Sequence, residues 1–470
     1  MERMSTLDAG FFFAEHANAP MHLGALAVFE GAAPSDQELA GLYAAKLSRV
    51  RRYRQVVRTV PLHIFRPAWA DDEHFELGHH LRRAAVPRPG RASQLHRLAG
   101  QIYAQPLDRT RPLWEAWLLD GIDAGRWAIL SKVHHCIVDG IGGAALMAEL
   151  LDLCPDAGPP AQSEVWQPQP WPSLPDALAG GLRDAVICPL QALAGVPGLL
   201  RQRLPAGPEM AAFAGGLASS ARRLAEPSAS CLNGPIGPGR RWALTTASLT
   251  AVREIRAEFG CTVNDIVLAA ITRGFRDLLL TRGGLADGLI VRSLVPISIR
   301  CEDEHGAVTN RLSAVFSNLP VAESDPIRRL QLVSDQMGQI KRTRQAAGPE
   351  LLTQLLTAAP PALLNAGTRA ASRIRQPLVQ TVTTNVPGPQ FPLYLLGRKM
   401  LQAHPYTPIA DNVKMAVAVF SYLGQLSFGI TAESSAASDL GILTKGISRG
   451  LAELHPERAP ASRAGLRSDR

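Results

Sequence analysis

The chain is poor in the features that mark several broad classes of protein. Its cysteines, Cys136, Cys154, Cys188, Cys231, Cys261 and Cys301, are scattered singly. Without a Cys-x-x-Cys pair or a dense framework, a disulfide scaffold is excluded and reduced thiols are the simple expectation. No apolar run approaches the roughly 18 residues that a membrane-spanning helix needs. The start, Met1-Glu-Arg-Met-Ser-Thr-Leu-Asp8, has none of the basic, apolar and small-residue segments of a secretory signal. A cytoplasmic protein is expected, soluble or peripheral on the inner membrane face. No Gly-x-Ser-x-Gly elbow, Walker loop, dinucleotide fingerprint or paired-carboxylate pattern rises above background, which argues against a covalent serine intermediate and against nucleotide hydrolysis.

What is present is length and apolar content. With 470 residues, of which 46% are hydrophobic and 19% charged, the chain can bury two or three cores. The net charge of +8 suits an anionic lipid surface or a phosphate-bearing ligand. It would also suit nucleic acid, but the arginines are spread along the chain rather than clustered with aromatics, which argues against that partner.

The most informative stretch is Ser131-Lys-Val-His134-His135-Cys136-Ile-Val-Asp139-Gly140. Trp127 to Val133 has the content of a buried strand, and Ile141 to Leu151 the spacing of a buried helix. The histidine pair therefore lies at a strand-to-helix turn, where side chains are presented at a sheet edge. An imidazole titrates near neutrality and can take a proton from a hydroxyl and return it to a leaving group. His135 is the candidate base. Asp139 either orients it or locks the turn by pairing with an arginine, and Gly140 lets the backbone bend. The plain reading is a histidine pair filling a strand end with Asp139 as a helix cap. His79-His80, with no Asp-Gly after it, is read in that structural way. A zinc site would need a third ligand and a helix through Cys136 to Gly140, so no metal is expected.

Along the chain, residues 1–155 form a first domain. Leu23 to Phe29 reads as a strand, Ser35-Asp-Gln-Glu38 as a capping box opening a helix, and Trp114 to Leu119 as a strand before a hairpin into the motif. Residues 156–239 shift to Pro, Ala and Gly, a crossover with helical stretches whose arginines suit either a lipid surface or packing on the second domain. Residues 240–455 form a second domain. Its helix through Val252, Ile255 and Phe259 ends at Gly260, and Asn264-Asp265 opens a buried helix as cap residues. Leu289 to Arg300 reads as a strand, Ser324-Asp325-Pro326 as a helix start, Val379 to Asn385 as a strand, and Ala416 to Gly429 as a hairpin. Residues 456–470 are polar and expected to be disordered.

His-His-x-x-x-Asp-Gly resembles the signature of the chloramphenicol-acetyltransferase-like, CoA-dependent acyltransferase superfamily. Together with Met4 to Phe12, Pro20-Met-His-Leu-Gly24, Pro112-Leu-Trp-Glu115, Thr262-Val-Asn-Asp265, Val295-Pro-Ile-Ser-Ile-Arg300 and Asn385-Val-Pro-Gly-Pro389, it is similar to the bacterial wax ester synthase/diacylglycerol acyltransferase family over nearly the whole chain. The resemblance implies an α/β fold of two chloramphenicol-acetyltransferase-like domains with mixed sheets and a channel between them. It implies acyl-CoA as co-substrate, no permanently bound cofactor, and diacylglycerol or a long-chain alcohol as acceptor. His134, His135, Asp139 and Gly140 would then be catalytic, and Trp114 would wall the site. Asn264 and Asp265 would face the active-site region. Independently of the resemblance, Asn264 and Asn385 are candidate oxyanion donors. Arg300, with Arg292 second, would pair with Asp139. Leu423 stands between Tyr422 and Gly424 where the family often carries a small polar or acidic residue. Two other readings remain: a different hydroxyl acceptor, such as a polyketide or glycolipid, and a non-catalytic condensation-like binding module.

Overall fold

The computed structural model describes residues 2–59, 65–138, 149–156, 166–173, 175–176, 179–183, 226–298, 312–347, 378–436 and 438–455. Most of the crossover, the tail after His455, and Asp139, Gly140 and Arg300 lie outside the described residues.

Two six-stranded mixed sheets form the frame. The first runs Tyr394–Leu395, Arg398–Tyr406, His22–Phe29, Arg126–His134, Trp114–Ile122, Leu81–Ala85. Its neighbours are antiparallel except for the last pair, which is parallel. The second runs Leu312–Leu319, Val291–Ser298, Thr381–Val386, Met415–Tyr422, Gln425–Glu433, Arg240–Ser248. Thr381–Val386 is parallel to both of its neighbours. Two strands from late in the chain thus complete the sheet that carries the histidine pair, so the halves share an element rather than merely touching.

Local sequence chemistry explains most helix ends. Ser35 and Glu38 form the reciprocal capping box that opens Asp36–Lys46. Gly260, at φ 63°, ends Leu249–Phe259 in the left-handed conformation that suits glycine. Val263–Thr281 begins earlier than Asn264-Asp265 suggests. Thr262 is its cap, and Asp265 is the third-position partner that reaches back to the Thr262 amide. Threonine, asparagine and aspartate are all cap formers, and only the backbone decides which stands first.

A literal Gly446-Ile-Ser448-Arg-Gly450 lies inside the helix Leu440–Leu454, not at a strand-to-helix elbow. Its glycines let that helix press on Val263–Thr281: a Cβ on Gly446 would come within 2.7 Å of the Gly274 Cα. The spelling therefore serves packing. Separate cores fill the two halves. A third core, with Tyr103, Trp242 and Tyr406, joins the first sheet to Arg240–Ser248.

Candidate active site

The site is built at the inner end of the strand Arg126–His134. This strand is central in its sheet and buried, and its last residues are held from both sides. The His134 amide donates to the Leu113 carbonyl at 3.0 Å, and the His135 amide to the Met21 carbonyl at 2.8 Å. Residues 135–137 then turn, with Ile137 N–H on the His134 carbonyl at 2.9 Å. This turn does not continue as a helix through Cys136. Among the described residues no group of three or more metal-ligating side chains occurs.

His135 lies half-buried beneath Phe11, whose ring stacks on it at 3.8 Å and 12°. Burial, with a further contribution from the neighbouring His134, pulls its pKa down to about 4. At neutral pH the imidazole is therefore uncharged and able to accept a proton.

His134 is fully buried and does a different job. Its Nδ1 accepts the Cys136 amide at 3.0 Å, which places the ring proton on Nε2. That Nε2 faces Oε2 of Glu15 at 3.4 Å. The other Glu15 oxygen accepts the Met21 amide at 3.1 Å. One carboxylate thus holds His134 by its ring and, through Met21, the backbone of His135. Burial alone would raise the pKa of Glu15, but His134, the Met21 amide and Arg109 outweigh it and hold the carboxyl below its usual range. Arg109 stands 3.9 Å from Glu15, packs over Phe12 at 3.7 Å, and donates to the Phe12 carbonyl at 3.1 Å. Phe12 in turn meets His134 edge-on. The helix Thr6–Ala14 and the loop after it therefore form the floor of the site.

His22 pairs with His134 across adjacent strands. It is buried beside Tyr406 and Tyr103, whose rings stack on each other at 3.8 Å. Burial and then the nearby Lys132 charge keep its pKa far below the usual value, so it adds a neutral ring behind the motif.

The supporting residues divide. Trp114 lies one residue past the Leu113 carbonyl that holds His134. It is sandwiched between Tyr53 and His80, and its Nε1 donates to the Tyr53 carbonyl at 2.9 Å. His80 thus fills a structural place, with Nδ1 at 2.8 Å from the Trp114 carbonyl. Asn385, near the end of Thr381–Val386, and Asn264, in the first turn of Val263–Thr281, meet at 3.5 Å, Nδ2 to Oδ1. The buried carboxylate of Asp265 is engaged by the Thr262 amide at 2.9 Å and the Ser334 hydroxyl at 3.2 Å. Arg292 is buried and donates to Asn318 and to the carbonyls of Leu378 and Glu226.

Sequence reasoning missed Glu15, Arg109 and the stacking role of Phe11. Glu15 is a lone acid after an apolar helix, and nothing nearby in the chain announces its partner. The available signal is an acid directly following the apolar run Phe11-Phe12-Phe13-Ala14.

A mixed six-stranded sheet in each half, the first completed by two strands from late in the chain, with the histidine pair at the end of a central strand, is the arrangement expected of two chloramphenicol-acetyltransferase-like domains. Residues 4–267 match the wax ester synthase/diacylglycerol acyltransferase catalytic domain, and residues 308–455 the WS/DGAT C-terminal domain. A Mycobacterium tuberculosis (strain ATCC 25618 / H37Rv) protein named "Probable diacylglycerol O-acyltransferase tgs1" is 35% identical over 460 residues, covering 97% of this chain and 96% of that one. The structure of a wax ester synthase/diacylglycerol acyltransferase from Marinobacter aquaeolei VT8 superposes with a TM-score of 0.69 at 22% identity, over 97% of this chain and 100% of that one. The starter condensation domain of rhizomide synthetase, in complex with C8-CoA and Leu-SNAC, gives 0.58 at 14% identity, over 97% and 93%. The chain belongs to the wax ester synthase/diacylglycerol acyltransferase family and is an acyltransferase.

Proposed function

We propose that the protein transfers a long-chain acyl group from acyl-CoA to the hydroxyl of diacylglycerol, of a long-chain alcohol, or of both, with His135 as general base. The observation that carries this reading is the placement of His135 at the end of a central strand, its amide on the Met21 carbonyl and its ring stacked beneath Phe11, where burial lowers the imidazole pKa. His135 takes the proton of the acceptor hydroxyl while the hydroxyl oxygen attacks the thioester carbonyl. The tetrahedral intermediate collapses with loss of the C–S bond, and the imidazolium returns the proton to the CoA thiolate. Ester and free CoA leave, and no covalent bond to the protein is made. The lowered pKa makes His135 a weaker base in the first half and its imidazolium a stronger acid in the second.

The oxyanion needs donors aimed at the developing charge, and the amides of Asn264 and Asn385 supply that chemistry within this reading. The acceptor lives in lipid and acyl-CoA in water, so a peripheral position on a membrane or lipid body fits both. No helix among the described residues is long and apolar enough to cross a membrane.

The test is product analysis of the purified protein with labelled palmitoyl-CoA and either dioleoylglycerol or hexadecanol, beside His135→Ala. Label in triacylglycerol or wax ester that disappears in the variant supports the proposal. Equal labelling by the variant removes His135 as the base. Release of CoA only with some other hydroxyl compound replaces the acceptor.

A further inference from the structure

The strands Met415–Tyr422 and Gln425–Glu433 are joined by a two-residue turn, Leu423-Gly424, since Tyr422 pairs with Gln425. Both turn residues have positive φ, 45° and 78°. Such turns favour Asn-Gly, because a branched apolar side chain gains nothing from this conformation and is strained in it. Leu423 is nevertheless there, 37% exposed, and Phe391 is 52% exposed. The two belong to one tip. The Leu423 amide donates to the Pro389 carbonyl at 3.2 Å, and the Gly424 amide to Gln390 at 2.8 Å. Gly388 fits against Ser421 and Phe420 where a Cβ would come within 2.2 Å of the Ser421 carbonyl. The loop is therefore seated tightly on the hairpin, and its apolar side chains are held outward by a fixed backbone.

The two segments that make the tip carry no charge in sequence, and the helix Leu249–Phe259, whose first amide bonds the Gly424 carbonyl at 2.9 Å, has its first charge at Arg253. Neither residues 376–397 nor residues 415–432 contain Asp, Glu, Lys or Arg. The tip begins two residues beyond Asn385. An exposed, strained apolar residue is a cost that folding does not require, and such outliers point to function.

We propose that Leu423 and Phe391 form a wedge that enters the surface of a phospholipid membrane bearing the water-insoluble acceptor, bringing the Asn385 end of the site to the lipid. This rests on the acceptor reading above. A second copy of the chain is a poor occupant: the pair offers on the order of 150 Å² of apolar surface, against about 800 Å² per partner in a standard interface. An uncharged tip also matches the uncharged acyl region, which repels charged side chains.

The experiment is flotation of the full chain with phosphatidylcholine vesicles containing dioleoylglycerol, comparing wild type, Leu423→Asn and Phe391→Ser. Each substitution is expected to lower the lipid-bound partition about five- to tenfold. Leu423→Asn should hold or raise the melting temperature, because asparagine accepts the left-handed turn. Turnover of acyl-CoA with a short-chain, water-soluble alcohol should be unchanged in both. Wild type that does not float, or variants that float equally well, overturns the proposal. A change in sedimentation caused by Leu423→Asn also overturns it, in favour of a contact between copies. Wild type that binds vesicles but acylates neither soluble alcohol nor diacylglycerol leaves the wedge standing and removes the acceptor reading.

Discussion

The guanidinium of Arg240, the first residue of the second sheet's edge strand, donates to the backbone carbonyl of Asn18 in the loop beneath the histidine pair. Arg240 is buried and also holds the carbonyls of Gly237 at 2.7 Å and Gly239 at 3.0 Å. A second link, His16 to Asp411 at 2.7 Å, ties the same loop to the second half of the chain. That loop lies between Glu15 and Met21, the residues that fix His134 and His135. The second half thus anchors the geometry of a site carried by the first.

Arg240→Met should therefore do more than loosen the fold. Unpaired buried carbonyls cost about 1–3 kcal/mol. Small misplacement of a reacting group costs as much as about a hundredfold in rate. We expect kcat to fall roughly ten- to a hundredfold with the KM for acyl-CoA nearly unchanged, measured beside the melting temperature. A loss confined to stability, with kcat intact above the transition, would show that the loop does not depend on this anchor.

Glu15 tests the same network from the other side. Glu15→Gln keeps an oxygen for the Met21 amide but removes the charge facing His134, whereas Glu15→Ala removes both partners. Alanine should destabilise by about 1–3 kcal/mol, because the buried Met21 amide loses its acceptor, and should lower kcat more than glutamine does. Denaturant titration with steady-state kinetics on both variants checks the order.

How far the sequence revealed this depends on distance along the chain. Ser35 with Glu38, Gly260, and Ser324-Asp325-Pro326 before the helix Pro326–Ala347 were legible because caps are local. The strand at the histidine pair was legible because its apolar run is continuous. The strand Arg398–Tyr406 was not, since its burial does not alternate, it contains Pro405, and its partner His22–Phe29 lies near the other end of the chain. Glu15 was missed for the same reason: its contact with His134 is made by the fold, and no spacing records it. Asn264 and Asn385 stand in separate motifs of the sequence, and the packing of the helix Val263–Thr281 on the second sheet brings them to 3.5 Å.

That contact gives a third prediction. If the two amides serve the oxyanion, Asn385→Ala should lower kcat by about a hundred- to a thousandfold, the loss seen when one such donor is removed, with little effect on melting temperature. Asp265→Ala should behave oppositely. Its carboxylate caps Val263–Thr281 and accepts Ser334, so stability should drop by about 1 kcal/mol or more while kcat of the folded enzyme changes little. Comparing kcat and unfolding midpoint in the two variants separates the roles.

The pH dependence follows from the buried imidazoles. Burial brings His135 and His96 down to about 4 and His404 to about 3, and holds His22 far below the usual value. In the unfolded chain each titrates near 6.5. Between those limits the unfolded state binds more protons, so stability rises with pH across this window. The contribution is fully present above about 6.5, declines as pH falls from there toward 4, and is lost below the folded-state values. Melting temperatures at pH 7 and pH 5 should therefore differ, with the acid value lower. Activity should respond differently. A base that stays neutral down to about 4 gives a kcat/KM profile that is flat from pH 7 to pH 5, with no inflection near 6.5, as long as the protein remains folded. Rates measured over short times, before acid unfolding sets in, distinguish the two. An inflection near 6.5 in such data would mean that the titrating base is a solvent-exposed imidazole rather than His135 stacked beneath Phe11.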